Sequence, residues 1–328
     1  MDKYNAVGLT QRVISEMSEA SLSATNRYIT GNNIPHLESG SVRNLKYSIE
    51  DARKMIYEFY SKKFEVTKKV QAFYNFKGGT GKTSMCFQVS SHLALMGFNV
   101  LVVDADPQGH LSTSLGFNTD SNILTLYDAV TDKVGIRDVI QPVFPGLDCI
   151  PSNLSLTRLE VALNPMPKRE ERVSIAFEPI EKNYDFILFD TNPTISHLNR
   201  NVITYSDLLN IVCETQPYSL NGLKLLFEDL GRFYNSMQME KADVIVIPNK
   251  YEDRTASSAE AMTVLREYYS EYMKPDFAIR KSEDINTAAK IGLPLATFCK
   301  KNSIAFADIM ELIRYLLNES CNQIKIGE

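Results

Sequence analysis

Little in this 328-residue sequence is arranged to hold a metal or a disulfide framework. Its five cysteines, Cys86, Cys149, Cys213, Cys299 and Cys321, show no C-x-x-C spacing and are odd in number. Reduced thiols in a cytosolic protein are the expected reading. The four histidines, His36, His92, His110 and His197, are scattered without ligand-like spacing, so a His/Cys metal site is not expected. Only 15 glycines and 13 prolines occur, which argues against a fibre or a disordered tail. No window approaches the ~18–20 apolar residues of a membrane span, and the opening MDKYNAVGLTQRV lacks the apolar region of a signal peptide. A cytoplasmic location is expected. Internal repeats and low-complexity tracts are missing too.

Hydrophobic residues make up 44% of the sequence and charged residues 23%, the proportions of a soluble globular protein. The length accommodates one large α/β domain, or a domain of about 250 residues with a small module attached. The net charge of −5 is uneven. Residues 1–69 hold 11 Lys and Arg against 8 Asp and Glu, or +3, leaving 24 against 32, or −8, for the rest. A mildly basic N-terminal segment fits a nucleic-acid surface or ordinary solvated helices equally well on charge alone.

Chemistry concentrates at 70–83, VQAFYNFKGGTGKT, where an apolar run enters a glycine-rich turn. Gly78, Gly79 and Gly81 let the backbone turn sharply and aim N–H groups at a triphosphate. Lys82 then supplies charge for the β and γ phosphates, Thr83 a hydroxyl for Mg²⁺, and the following helix, expected over 83–96, the positive end of its dipole. The usual spelling G-x-x-x-x-G-K-[ST] would begin with glycine at 76; here Phe76 stands there, with a second lysine, Lys77, beside it. An apolar strand at 100–104 ends in Asp104, Asp106 and Gln108, and another at 186–190 ends in Asp190. Carboxylates at the ends of neighbouring strands are suited to Mg²⁺ and water beside a phosphate cradle. Farther on, strands are expected at 147–150, 208–213, 242–248 and 277–279, alternating with helices at 155–163, 222–235, 257–273 and 303–317. Such alternation means α/β architecture with a mostly parallel sheet flanked by helices.

The segment from 9 to 64 is polar and helical. Ser21 or Ser23 can cap a short helix to 28, GNNIP at 31–35 ends it, and a Gly/Ser-rich loop follows. Ser48 with Asp51 opens another helix, with Ile49, Ala52, Met55, Ile56 and Phe59 on one face. Short helices around a tight turn fit a helix-turn-helix; a helical extension that packs on the main domain or mediates dimerisation fits the same spacing.

Taken together, KGGTGKT at 77–83, VVDADPQGHLS at 102–112 and ILFDTNP at 187–193 resemble the deviant Walker A, second motif and Walker B of the ParA/MinD ATPases, and the likeness extends through IPSNLSL at 150–156 and GLP at 292–294, about residues 70 to 317. The family's Walker B is usually written with two prolines, and here one is Asn192. The resemblance implies a P-loop NTPase domain over 70–328 that hydrolyses ATP with Mg²⁺. It further implies a 1–69 module like the winged helix-turn-helix of the larger plasmid-partition ParA proteins, an operator-binding autorepressor. The cradle would be Lys77, Gly78, Gly79, Thr80, Gly81, Lys82, Thr83 and Ser84, with Pro248 and Asn249 near the base. Lys77 would reach the phosphates of the partner in a homodimer, Asp106 would position water, and Asp104 and Asp190 would support the Mg²⁺ shell with Thr83. Arg254 and Arg280 match positions that line a nonspecific DNA surface in smaller relatives, and a centromere-bound ParB-type protein would stimulate turnover on the nucleoid.

Two other readings compete. A MinD-like membrane ATPase requires a basic amphipathic C-terminus, which CNQIKIGE at 321–328 does not supply. A transcriptional regulator tuned by nucleotide would work mainly through residues 1–69. A nitrogenase-type reductase is disfavoured because no pair of cysteines is placed for a bridging cluster.

Overall fold

The computed structural model describes residues 2–37, 45–120, 122–274 and 276–324. Most of the Gly/Ser-rich loop, and the end of the C-terminal stretch, lie outside them.

The centre is a seven-stranded sheet in the order β10–β9–β4–β8–β5–β7–β6, made of β4 (Val70–Tyr74), β5 (Val100–Ala105), β6 (Gln141–Phe144), β7 (Leu147–Ile150), β8 (Phe186–Thr191), β9 (Leu208–Glu214) and β10 (Asp243–Asn249). All neighbours run parallel except the edge pair β6/β7. Strand β5 shows why its sequence is an unbroken apolar run. Val100 and Val102 enter one hydrophobic cluster while Leu101 and Val103 enter the other, so both faces of the strand are covered.

The N-terminal residues form α1 (Asp2–Asn5), β1 (Gly8–Thr10), α2 (Gln11–Ser18), α3 (Leu22–Gly31), β2 (Lys46–Ser48), α4 (Ile49–Phe59) and β3 (Phe64–Val66). Thr10, Ser21 and Ser48 each accept a backbone N–H at the start of α2, α3 and α4, which satisfies donors that a helix end leaves open. Glu19 ends α2 in the left-handed region at φ 55°, leaving a three-residue turn, 19–21, before α3. Strands β1 and β2 pair antiparallel with Leu9 opposite Tyr47.

One sheet face carries α5 (Lys82–Leu95), α6 (His110–Leu115), α13 (Glu283–Ile291) and α14 (Ile304–Ser320), and the N-terminal helices pack onto this side: Leu9, Val13, Met17, Met55 and Ile56 join the same cluster as Phe87 and Leu312. The opposite face carries α7 (Leu126–Val130), α8 (Thr157–Leu163), α9 (Arg172–Phe177), α10 (His197–Tyr205), α11 (Pro217–Met237) and α12 (Ala256–Tyr269). At the chain's far end β11 (Cys321–Gln323) pairs antiparallel with β3.

Several boundaries differ from expectation. Helix α3 continues to Gly31 instead of stopping at 28, and α11 begins at Pro217, whose fixed φ suits a first helical turn. Residues 277–279 are not a strand. Pro248 has no N–H to give them, so the backbone bonding to β10 reduces to Ile279 N–H donating to Pro248 O, and past the end of β10 Tyr251 forms an isolated bridge with Arg280.

Candidate active site

The loop between β4 and α5 sits at the C-terminal edge of the sheet, where open α/β sheets bind ligands. Gly79 and Gly81 have φ of 75° and 97°, which side-chain-bearing residues rarely adopt. At Gly81 space is also decisive: a Cβ would collide with Asn249 Nδ2, which donates to Thr80 O at 2.7 Å. Asn249 therefore braces the loop itself, as does Lys250, whose Nζ donates to Gly79 O at 2.5 Å. Asn75, buried beneath the loop, donates to Val212 O and accepts from Lys77 N–H.

Lys82 opens α5 and is almost fully buried; its Nζ folds back to donate to Lys77 O at 3.3 Å. Burial pulls the ammonium's pKa down, and Asp190 and Asp106 oppose that pull. Asp190, one residue before the end of β8, lies directly opposite Asp104 on β5, and both are fully buried. Neither Asp190 oxygen accepts a well-formed hydrogen bond. Its carboxyl is pushed well above the usual range, by burial first and by Asp104 second, while the nearby Thr83 hydroxyl and Lys82 draw it back. Asp104 differs: its oxygens accept from Ser112 N–H at 2.8 Å, Ser112 Oγ–H at 2.6 Å and Asp106 N–H at 3.1 Å. Burial still pushes it up to about 6. Asp106 is half-buried, and one carboxylate oxygen accepts from Gln108 N–H.

These residues fit a Mg²⁺-bound triphosphate. The Asp190 carboxylate, buried with neither oxygen in a well-formed hydrogen bond, carries a cost of burial that a cation would relieve, and the buried Thr80 hydroxyl of the loop is unpartnered as well. No group of three or more His, Cys, Asp or Glu side chains positioned for a metal occurs among the described residues. Mg²⁺ beside phosphates needs only one or two protein ligands, a number that Thr83 and Asp190 would supply.

Lys77 lies apart from Lys82. Its ammonium donates to Glu214 Oε2 at 3.0 Å and Ser219 Oγ at 2.8 Å, at the start of α11, and Glu214 also faces Lys250 at 3.6 Å. A cavity of about 260 Å³ borders Gly81, Ser84, Gln216, Asn249 and Lys281, room for the base end of a nucleotide. Pro248 lies in β10 one residue before Asn249. Glu214, Ser219, Gln216 and Lys281 carry no signal in the sequence, because each acts through long-range contacts and none through a local motif.

Arg254 is exposed, with no ion pair among the described residues, while Arg280 clasps the buried Asp308 through Nε at 3.0 Å, through Nη2 and through its backbone N–H. Asn192, where a proline was expected, organises the turn after β8: its side-chain oxygen accepts from Thr194 N–H and from Asn199 Nδ2.

A sequence model for the AAA domain matches residues 68–242. The cell division protein PomZ of Myxococcus xanthus is 34% identical over 69% of this chain and 70% of its own length. The chromosome partitioning protein ParA of Caulobacter vibrioides is 29% identical over 70% of this chain and 87% of its own. Among solved structures, a McdA–ATP complex from Cyanothece, 21% identical, superposes with a TM-score of 0.69 over 80% of this chain and all of that one, a likeness of fold. With the nucleotide cradle, the two acidic strand ends and these relatives in view, the chain belongs to the ParA/MinD family of P-loop ATPases and hydrolyses ATP with Mg²⁺.

Proposed function

We propose that the chain is a DNA-partition ATPase, in which ATP drives homodimerisation and DNA binding and slow hydrolysis, stimulated by a ParB-type partner, reverses both. The observation that carries this reading is Lys77. Its ammonium is held by Glu214 and Ser219 at the start of α11, which supports its reading as a charge destined for a second subunit. Bound Mg²⁺·ATP supplies the scissile phosphoanhydride and a divalent charge on its oxygens. The protein's part is positioning and neutralisation. Lys82 swings from Lys77 O onto the β and γ phosphates, and the α5 N-terminus points its N–H groups at them. Thr83 and Asp190 would hold the metal, Asp104 stiffens the loop through Ser112, and half-exposed Asp106 would orient the attacking water. Solvent-facing Arg254 belongs to the DNA surface; Arg280 reaches DNA only from its clasp with Asp308. Measuring ATPase activity with DNA and with the protein encoded next door, alone and together, tests the reading. Multiplicative stimulation is expected, and no stimulation by either overturns it.

A second reading, transcriptional autorepression through residues 1–69, draws support from the three-residue turn between α2 and α3 and from the β1/β2 pair beside them. The outward face of α3, Ser23, Asn26, Arg27 and Thr30, is polar and exposed. We therefore read 1–69 as a winged helix-turn-helix module on the 70–328 ATPase domain. Removing the module would strip the α5 face of its cover, so footprinting its own promoter with full-length Arg27→Ala is the cleaner test; unchanged protection counts against the module as reader.

A further inference from the structure

Between the N-terminal helices and the loop ahead of α14 lies an open groove of about 690 Å³. Four cations border it from two directions: Arg12 and Lys46 from the N-terminal residues, Lys300 and Lys301 from the loop. No aspartate or glutamate among the described residues lines it, although the whole chain carries −5. Glu16 stands just outside and pairs with Arg12. The groove is shared by construction, because Lys46 Nζ donates to Thr297 O at 2.8 Å and Arg12 Nη2 to Cys299 O at 3.1 Å, fixing the loop to the module. Lys300 and Lys301 are exposed at its rim.

Its position relative to the two helices matters. Thr10, Gln11 and Val13 bring the start of α2 to the groove, and Leu22 brings the start of α3. When a helix-turn-helix reads duplex DNA, the second helix enters the major groove by its N-terminal end and the first crosses the sugar–phosphate backbone. A backbone following that path over α2 runs along this groove and meets the two lysines of the ATPase domain.

We propose that the groove is a phosphate-backbone site for duplex DNA, so that Lys300 and Lys301 extend the footprint of the 1–69 module onto the ATPase domain. This rests on the DNA-binding reading above and adds to it a named surface that the module alone cannot supply. Phosphate contacts of this kind hold register without reading sequence. The site therefore strengthens binding to any duplex, while α3 supplies discrimination. Because the same two residues belong to the loop that receives α5 through His92 and Ala296, DNA held here is anchored directly to the ATPase core.

The test uses the full chain and its Lys300→Gln/Lys301→Gln variant. Affinity for a short duplex from upstream of its own coding sequence, and for a scrambled duplex, is measured against salt concentration with ADP and with ATP. Each phosphate left without its lysine lowers the slope of log K against log salt by roughly 1, so a drop of about 2 is expected for both duplexes. If counter-ion release is the lysines' whole contribution, binding weakens by up to roughly 60-fold in 0.1 M salt. ATPase activity without DNA should stay at the parent level, since both side chains are solvent-facing. Binding by the parent with an unchanged slope and affinity in the variant overturns the groove and leaves the DNA reading standing. Failure of the parent to bind either duplex in any nucleotide state overturns the DNA reading and the groove together. Weakening confined to the ATP state, matched by Arg254→Ala, assigns the lysines to the nonspecific surface instead and likewise overturns the groove.

Discussion

Replacing Arg53 with methionine should destabilise the protein by about 3 kcal/mol, and Gly146→Ala should destabilise it through the same guanidinium. Arg53 projects from α4 to the C-terminal end of the cradle helix α5. Its Nη1 donates to Ala94 O at 2.7 Å and Pro145 O at 2.6 Å, with longer contacts to Phe98 O and, through Nη2, to Gly97 O at 3.3 Å. A cation there also opposes the negative end of the helix dipole. Hydrogen bonds to a charged group contribute about 1.5–3 kcal/mol each, and the two short ones, less the cost of burying a guanidinium whose pKa burial lowers, leave about 3. Unfolding entropy of about 2.1 cal/mol/K per residue gives about 0.7 kcal/mol/K for this length, so the melting temperature should fall by about 4 °C. Gly146, at φ 87°, turns the chain between β6 and β7, and a Cβ on it would overlap Arg53 Nη1. In the parent, Gly146→Ala should therefore cost backbone strain of about 1–2 kcal/mol plus the displaced arginine; in the Arg53→Met background only the strain remains. Thermal unfolding of the four proteins of this cycle, followed by circular dichroism, measures the coupling. Additive shifts, or an Arg53→Met melt within about 1 °C of the parent, refute the strut.

Asp106→Ala should keep ATP and DNA binding and lose turnover by roughly 10²–10⁴-fold; parent-level hydrolysis sinks its role. Lys82→Gln should weaken ATP binding by about 10–100-fold in a titration, and unchanged affinity counts against the cradle. Lys77→Ala should leave ATP affinity within about threefold while lowering partner-stimulated turnover by roughly 10² or more; equal losses in both would mark an intramolecular lysine. His92 is buried with Nδ1 donating to Gln88 O at 2.7 Å and Nε2 accepting from Ala296 N–H at 3.3 Å, a neutral arrangement, and burial lowers its pKa from 6.5 to about 4. The unfolded chain thus binds a proton below about 6.5 that the folded one refuses, so stability is full above that pH and is lost as pH falls toward 4. At pH 5 the loss is about 2 kcal/mol, or roughly 3 °C, and in His92→Gln that part of the acid slope should vanish.

The cradle, its strand and its helix were legible because each is local: glycines where φ is positive, an apolar run before them, a lysine and a threonine opening the helix. Asp104, Asp106 and Asp190 were legible as strand-end carboxylates, and the structure sets Asp104 and Asp190 side by side. What each does there was not legible. Asp104 is engaged by Ser112, eight residues along, and Asp190 is left bare, a distinction that depends on how α6 folds back over β5. The expected strand at 277–279 failed for a related reason, since β-propensity says nothing about whether a neighbour's N–H is available, and Pro248 has none.

The sequence by itself determined that this chain builds a parallel sheet with a nucleotide cradle and two acidic strand ends, because periodicity and glycine placement act within a few residues. Only the tertiary structure decided where the second lysine rests, how the first 69 residues sit on α5, and that Lys300 and Lys301 share a groove with Arg12 and Lys46. Glu214 lies 137 residues from Lys77, and Thr297 lies 251 from Lys46. Contacts of that span leave no local pattern, so the loop spelled GGTG announces a phosphate site while the charge beside it finds its partner only when the sheet closes.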